Sequence, residues 1–396
     1  MAATKPRTSK PKRKRQGKAV AKTSITSSAL MALLGGALVW LAGMFGWLPL
    51  GGSLADRSTT ADPLSSELPT WSEQPAPAFA MPPYARFLKG VTIVLDPGHG
   101  GHGDVPNYKR GPTGLREAEV NLRVAEFLRA FLAATGAAVT LTRAADVYLD
   151  PDNEIDLEKR AAVANEARAD LLLSIHHNAA PNAEANYTSL FYHASPDHSP
   201  ASLCAARHLL TGLNDALRLD QHVGCALRSD FLRFPGKGFR ILRHAAVPAV
   251  LSESSFHSNP REEQRLRDPL YNRREAYGLF LGLARWAQAG LPRVTLASPA
   301  NGRVRGGETI TLRLNDGLSS RGGWGSDTVK ILADSLVARL DGQALTVEAD
   351  LPNRRLQVRL PVRIGRGRLR LFVDFETIFG QHVLHPWIDL RRAGDR

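Results

Sequence analysis

The chain has 396 residues, of which 43% are hydrophobic and 22% are charged, and its formal net charge is +13. This length suggests two or three domains, and the apolar fraction excludes a largely disordered or collagen-like chain. The two cysteines, Cys204 and Cys225, exclude a disulfide framework as the main source of stability, and whether they pair is left open. Nine lysines and arginines lie in residues 1–24, which hold no acid, so the basicity belongs to a tail.

An apolar segment follows the basic tail. Residues 29–48 contain no charged, amide or hydroxyl side chain, and about twenty helical residues span the hydrocarbon core of a bilayer. We expect residues 1–28 to be a cytoplasmic tail and residues 29–50 a transmembrane anchor, with the rest exported. A cleaved signal segment is the alternative. In either case the membrane is an expected partner at the N-terminus, and nucleic acid is not.

A proline-rich linker is expected over residues 51–88. Over residues 89–291, apolar runs alternate with amphipathic stretches, which predicts an α/β domain with a mostly parallel sheet and helices on both faces. The elements are predicted from the period of the apolar residues. Strands are expected at 91–95, 138–142, 170–175, 188–192 and 248–252, and helices around 120–132, 157–168, 199–217 and 260–288.

The helical period disappears in residues 292–396. About seven short alternating runs, separated by glycine, asparagine, aspartate and proline, predict a small all-β sandwich-like domain. The Asp341-Gly342 pair between two of these runs predicts a two-residue hairpin. We hypothesise that this domain assists binding or docking.

Polar side chains follow the predicted strands of the α/β domain. His99 comes after the first strand, His176 ends the third, and Glu253 ends the fifth. Glu117 opens the first helix, on the same rim. The carboxyl ends of parallel strands meet at one edge of a sheet, so we expect these four side chains to converge. Histidine and carboxylate donors, with one position left for water and a second carboxylate as base, are typical of a catalytic zinc site.

His176 is followed by a second histidine, His177. Neighbouring side chains on an extended segment point to opposite faces, so only one of this pair is expected to enter the site.

Seven motifs occur in the order and spacing of one known family. They are VTIVLDPGHGG, GLREAEVNL, LTRAAD, LEKRAAVAN, ADLLLSIHHNA, FRILR and PAVLSESSFHSNP. Over residues 90–288 the chain therefore resembles the zinc-dependent N-acetylmuramoyl-L-alanine amidases of bacterial cell walls, the Amidase_3 family. The resemblance implies that His99, Glu117 and His176 bind Zn²⁺ and that Glu253 is the general base.

The resemblance also implies a reaction and a place. The reaction is hydrolysis of the amide between N-acetylmuramic acid and L-alanine of peptidoglycan, in the bacterial cell envelope outside the inner membrane. A protein activator is a possible partner. An exported zinc peptidase that cuts within the stem peptide, or a wall-binding regulatory protein, remains the alternative.

Three further residues lie inside the matching motifs. Asn178, Arg243 and Asn259 would position substrate or, equally, hold loops. The chain departs from the family where His177 replaces a small residue, where Ser255 replaces a glycine, and in a longer segment at 102–110. These departures concern substrate fit more than metal binding.

Overall fold

A computed structural model describes residues 79–105, 108–196, 198–219, 221, 225–318 and 330–394. The predicted basic tail, the apolar segment at 29–50 and most of the predicted linker lie outside the described residues. No helix within the described ranges is both long enough and apolar enough to cross a bilayer.

Six strands form a mixed sheet in the order β2-β1-β3-β6-β4-β5. They are β1 Thr92–Pro97, β2 Ala138–Leu141, β3 Leu171–Asn178, β4 Ser189–Tyr192, β5 Leu227–Ser229 and β6 Ala249–Phe256. Strands β2, β1, β3 and β6 pair in parallel, as predicted. The prediction is corrected at one edge, where β4 runs antiparallel to β6 and β5 runs parallel to β4. A short loop joins β3 to β4 in place of the helix that a parallel crossover needs.

Helices cover both faces of this sheet, as predicted. They are α1 Glu117–Ala133, α2 Asn153–Glu166, α3 Ser199–Leu217, α4 Arg240–His244, α5 Pro260–Arg267 and α6 Pro269–Ala289. Helices α1, α3 and α6 pack on one face, and α2 and α4 on the other, because alternate strand residues are buried on each side. The single helix expected at 260–288 is divided at Asp268, whose side chain caps α6 ahead of Pro269.

The end of the predicted linker is part of the α/β domain. Residues Pro83–Leu88 form a 3₁₀-helix in which Ala85 and Leu88 are buried in the main core. The ring of Phe79 lies 5.4 Å from that of Tyr277 on α6. The prediction of an extended spacer up to residue 88 is therefore wrong at the C-terminal end of the segment. The reason is that its apolar side chains pack against α6.

The C-terminal residues form two sheets around a separate apolar core. The strands are β7 Arg293–Ser298, β8 Arg303–Val304, β9 Thr309–Asn315, β10 Val337–Leu340, β11 Gln343–Ala344, β12 Val347–Asp350, β13 Arg355–Arg359, β14 Arg368–Asp374 and β15 Trp387–Arg392. These strands pair antiparallel except for β8, which pairs in parallel with β15. One predicted strand is divided into β11 and β12, and β8 was not predicted. The predicted hairpin joins β10 to β11, with Asp341 and Gly342 at φ 46° and 87°.

A buried aspartate links the two domains. Asp170, just before β3, accepts hydrogen bonds from the backbone of Thr92 at 3.1 Å and from Arg293 at 2.6 Å. His385 of the β domain lies 3.5 Å from the same carboxylate. Both cysteines are free thiols, Cys204 buried and Cys225 exposed.

Candidate metal-dependent active site

Two histidines and a glutamate from three elements meet at the carboxyl end of the sheet. His99 follows β1, Glu117 is the first residue of α1, and His176 lies on β3. Oε2 of Glu117 lies 3.0 Å from Nε2 of His99, and Oε1 lies 3.1 Å from Nδ1 of His176. The three ligand atoms lie within 4.8 Å of one another. Two imidazole nitrogens and one carboxylate oxygen fit zinc and leave its fourth position open.

The loop that carries His99 passes very close to His176. A Cβ added at Gly98 would lie 2.2 Å from the His176 ring. His99 itself has a φ of 58°, a backbone conformation that non-glycine residues seldom adopt. Glycine at position 98 is therefore a condition for the two imidazoles to reach one point.

Two buried arginines hold this loop by its carbonyl oxygens. Arg143 donates to the carbonyls of Pro97 and Gly98, at 2.8 and 2.9 Å. Arg160 donates to the carbonyls of Pro97 and His99, at 3.0 and 2.8 Å. Such bonds fix the direction in which a ligand side chain points. Both arginines lie in the family motifs, but neither was predicted to have a role; Arg143 follows β2 and Arg160 lies on α2.

Arg160 is anchored in turn by a buried carboxylate. Its Nη1 lies 3.0 Å from Oδ1 of Asp96, and both side chains are 1% exposed. Thr142 and Ser174 donate to the same carboxylate, at 2.6 and 2.7 Å. Burial opposes ionisation of Asp96, but Arg160 and these hydroxyl donors hold its pKa below the usual range.

The electrostatics of the three-residue cluster suit a cation. Burial would raise the pKa of Glu117, but His99 and His176 hold this pKa well below the usual range, so the group is a carboxylate. Burial lowers the pKa of His176, so its imidazole stays neutral and keeps a lone pair for a metal.

The fourth predicted residue, Glu253, lies on β6 beside His176. The two occupy paired positions of neighbouring parallel strands. Oε2 of Glu253 is buried and has no hydrogen-bond partner among the described residues. Burial, with the nearby charge of Glu117, raises the pKa of Glu253 to about 8. A carboxyl group in this state is suited to exchanging a proton near neutral pH.

These four residues line a cleft of about 1000 Å³. Tyr108 and Lys109, from the longer segment 102–110, also line it. The other walls come from α2, α4, the segment that precedes α4, and the ends of β3 and β6. They include Asn153, Glu154, Leu157, Asn178, Arg233, Phe234, Lys237, Phe239, Arg240, Arg243 and His257.

The three residues offered for substrate positioning fall in different places. Asn178 and Arg243 line the cleft. Asn259 caps α5, where its Oδ1 accepts from two backbone amides, and its Nδ2 donates to the carbonyl of Ala183 at 2.8 Å. Both ends of this side chain are therefore used, and the structure gives Asn259 the loop-holding role instead of a contact with substrate.

His177 points away from the cluster. Its Nδ1 lies 2.8 Å from Oδ1 of Asn121, and its Nε2 lies 3.0 Å from the buried Glu275 on α6. The imidazole thus occupies the core on the other side of the sheet, as the alternation of side chains along β3 requires. Only its backbone amide serves the site, donating to Glu117 at 3.1 Å.

His257 is the site residue that sequence reasoning missed. Its Nδ1 donates to the carbonyl of His177 at 2.9 Å and lies 3.8 Å from Oε2 of Glu117. The available signal was its position just past β6, at the same edge as Glu253.

An α/β sheet that brings this cluster beside a second carboxyl group, whose Oε2 has no hydrogen-bond partner within the described part of the chain, fits the class of metal-dependent hydrolases. The family comparison is more specific. Residues 93–285 match the family described as Amidase_3, N-acetylmuramoyl-L-alanine amidase. The chain thus contains an N-acetylmuramoyl-L-alanine amidase domain.

The chain is similar to two curated relatives with amidase names and to one solved amidase structure. The germination-specific N-acetylmuramoyl-L-alanine amidase of Bacillus subtilis is 28% identical over 213 residues, which cover 52% of this chain and 83% of that protein. The probable cell wall amidase LytH of Staphylococcus aureus is 30% identical over 184 residues, which cover 46% of this chain and 54% of LytH. The chain therefore matches little more than half of LytH. The solved structure of the CwlD amidase from Clostridioides difficile, in complex with the GerS lipoprotein, is 23% identical. The match covers 50% of this chain and 98% of CwlD, with a TM-score of 0.43.

Proposed function

We propose that this protein is a zinc-dependent amidase that hydrolyses the bond between N-acetylmuramic acid and L-alanine in peptidoglycan. In this proposal His99, Glu117 and His176 hold Zn²⁺, and Glu253 is the catalytic base. The observation that supports it best is the meeting of these four side chains in one cleft of an amidase-family domain.

The chemistry assigns each residue a separate task. Bound zinc would polarise the amide carbonyl and make a water molecule more acidic. Glu253 takes the proton of the attacking water, since no described residue competes for its Oε2, and then gives it to the departing amine of L-alanine. His99 and His176 hold their direction because Arg143, Arg160 and Glu117 fix them. No covalent intermediate with the protein is needed.

The place of action is also a proposal. The relatives are named as cell wall and germination amidases, and wall substrate lies outside the cytoplasm. We therefore infer that the domains at 89–291 and 292–396 are exported, with the apolar segment 29–50 as the membrane anchor and the basic tail inside. The β domain would assist docking to the wall.

The cleaved bond distinguishes this proposal from a zinc peptidase. The full-length protein would be incubated with purified peptidoglycan, and the soluble products analysed by liquid chromatography and mass spectrometry. We expect free stem peptides that begin at L-alanine and glycan strands without peptide. Peptides cut internally, with muramic acid still substituted, would overturn the amidase assignment in favour of the peptidase.

A further inference from the structure

Besides Arg240, four cations line the cleft. They are Lys109, Arg233, Lys237 and Arg243. We propose that Arg233 and Lys237, supported by the other two, bind a free carboxylate of the stem peptide, so that the enzyme prefers acidic stem peptides over amidated ones. This inference rests on the proposed amidase function and concerns the substrate class of the same site.

These cations have no carboxylate partner among the described residues; their hydrogen bonds go to neutral groups, as from Arg243 to the carbonyl of Lys237 at 2.9 Å. Within the described ranges, no carboxylate forms an ion pair with any of the four, whereas the neighbouring Arg240 is paired with Glu154 at 3.0 Å and with Glu158. Cations gathered in a cleft without counter-charges raise the local concentration of an anionic ligand. The charge of Arg240 is therefore neutralised within the protein, whereas the charges of the other four cations are available to an anionic ligand in the cleft.

The loop that presents Arg233 and Lys237 is held at both ends by one buried carboxylate. Asp230 accepts hydrogen bonds from the backbone amides of Ala194 and Phe239, at 3.1 and 3.0 Å, and lies 2.8 Å from Nδ1 of His193. At Gly238 the φ is +65°, and an added Cβ would lie 2.1 Å from that carboxylate. The loop is thus fixed before substrate arrives, which lowers the ordering cost of binding.

This loop also lies close to the reaction centre. Nη2 of Arg233 lies 3.5 Å from Oδ1 of Asn178, which follows His176 by two residues on β3. Arg233 also acts electrostatically on Glu253, whose charged form it favours. A stem peptide places its second residue, a γ-linked glutamate, one alanine away from the scissile amide. The α-carboxyl of that glutamate, free or amidated, is therefore the first carboxyl group on the peptide side of the scissile amide.

The test compares two synthetic muramoyl peptides that differ only in this group, one with the α-carboxylate and one with the α-carboxamide. The zinc-loaded full-length protein, the double variant Arg233→Gln/Lys237→Gln and the control Arg129→Gln would be assayed for kcat/KM. Arg129 is an exposed cation of α1 outside the cleft. We expect the wild type and the control to prefer the carboxylate by about three- to tenfold, as two exposed ion pairs permit. The double variant should lose this preference, because its kcat/KM should fall more on the carboxylate peptide than on the carboxamide peptide.

Equal rates of the wild type on both peptides, or a preference kept by the double variant, would overturn the inference while leaving the amidase function standing. Failure to cleave either peptide would instead count against the proposed function. The binding arm then decides the inference: calorimetry of the Glu253→Gln variant should show tighter binding of the carboxylate peptide, and the added substitutions should remove the difference. Equal binding of the two peptides would overturn it.

Discussion

His176 and Glu253 occupy the same register position on adjacent parallel strands, β3 and β6. Paired residues of a parallel sheet project from the same face, so this register places a histidine ligand and a carboxyl group side by side. No loop is needed to bring them together. The sheet itself therefore fixes the distance between the proposed metal ligand and the proposed base.

Glu253→Gln should abolish turnover without harming the fold. Glutamine keeps the shape of the side chain but cannot take a proton, so we expect kcat to fall about 10²- to 10⁴-fold. The melting temperature should be unchanged or raised, because an unpaired buried carboxyl next to Glu117 is lost. Peptide-release assays, zinc content and thermal unfolding would be compared with Glu126→Gln, an exposed glutamate of α1. Full activity in Glu253→Gln would contradict the assigned role.

Gly98→Ala should weaken metal binding. The added methyl group would lie 2.2 Å from the His176 ring, so the ring must turn away from Glu117. We expect a loss of zinc affinity of about 10- to 100-fold, measured by competition with a chelating dye. Gly365→Ala is the matched control, because its Cβ would meet only ordinary contact at 3.4 Å. Equal zinc affinity in the two variants would show that the close approach is unimportant.

Arg160→Met should destabilise the α/β domain. It would leave the Asp96 and Asp156 carboxylates without their buried cation, and such a loss typically costs about 3–5 kcal/mol of unfolding free energy. Urea unfolding measures the change, with the exposed Arg261→Met as control. The cost should shrink when Asp96→Asn is added, since the unpaired charge is then removed. A double variant whose cost equals the sum of the two single costs would argue against this coupling.

The contacts of Asp170 should stop contributing to the free energy of unfolding at acidic pH. Burial alone would raise the pKa of Asp170, but His385 and Arg293 hold it below its ordinary value of 3.8. A carboxyl with a lower pKa in the folded than in the unfolded state contributes stability above the unfolded value, and the contribution is lost as pH falls through the folded value. We expect Asp170→Asn to be less stable than the wild type by about 1–2 kcal/mol at pH 7. The gap measured by urea unfolding should narrow as the pH falls below 3.8, and a gap constant with pH would contradict the account.

The sequence predicts the parts of the fold that follow from local pattern. The apolar runs that became β1, β3 and β6 are buried on both faces and bounded by turn residues, so their ends, and the residues at those ends, follow from periodicity. Strand β5 and helix α4 are too short to show a period. The reversed edge of the sheet depends on pairing between β4 and β6, which no local pattern encodes.

The sequence predicts the candidate site to about the same extent as it predicts the fold. His99, Glu117 and His176 follow from strand ends and from the family motifs, and the structure brings them together. His257 and Arg160 do not, because their importance comes from contacts with residues far away in sequence. The segment 230–239 shows neither a helical nor a strand period. Its position in the cleft depends on the buried Asp230, which accepts a hydrogen bond from the backbone amide of Phe239.

Zinc titration of the metal-free protein tests the central claim most directly. The full-length chain would be stripped with a chelator, reloaded with measured amounts of zinc, and assayed for release of stem peptides that begin at L-alanine. The account predicts no activity in the stripped protein and a linear return that saturates at about one zinc per chain, as one three-ligand site requires. The variant His99→Ala should neither retain zinc nor recover activity. Full cleavage by the stripped protein, or recovery in His99→Ala equal to that of the wild type, would contradict the account.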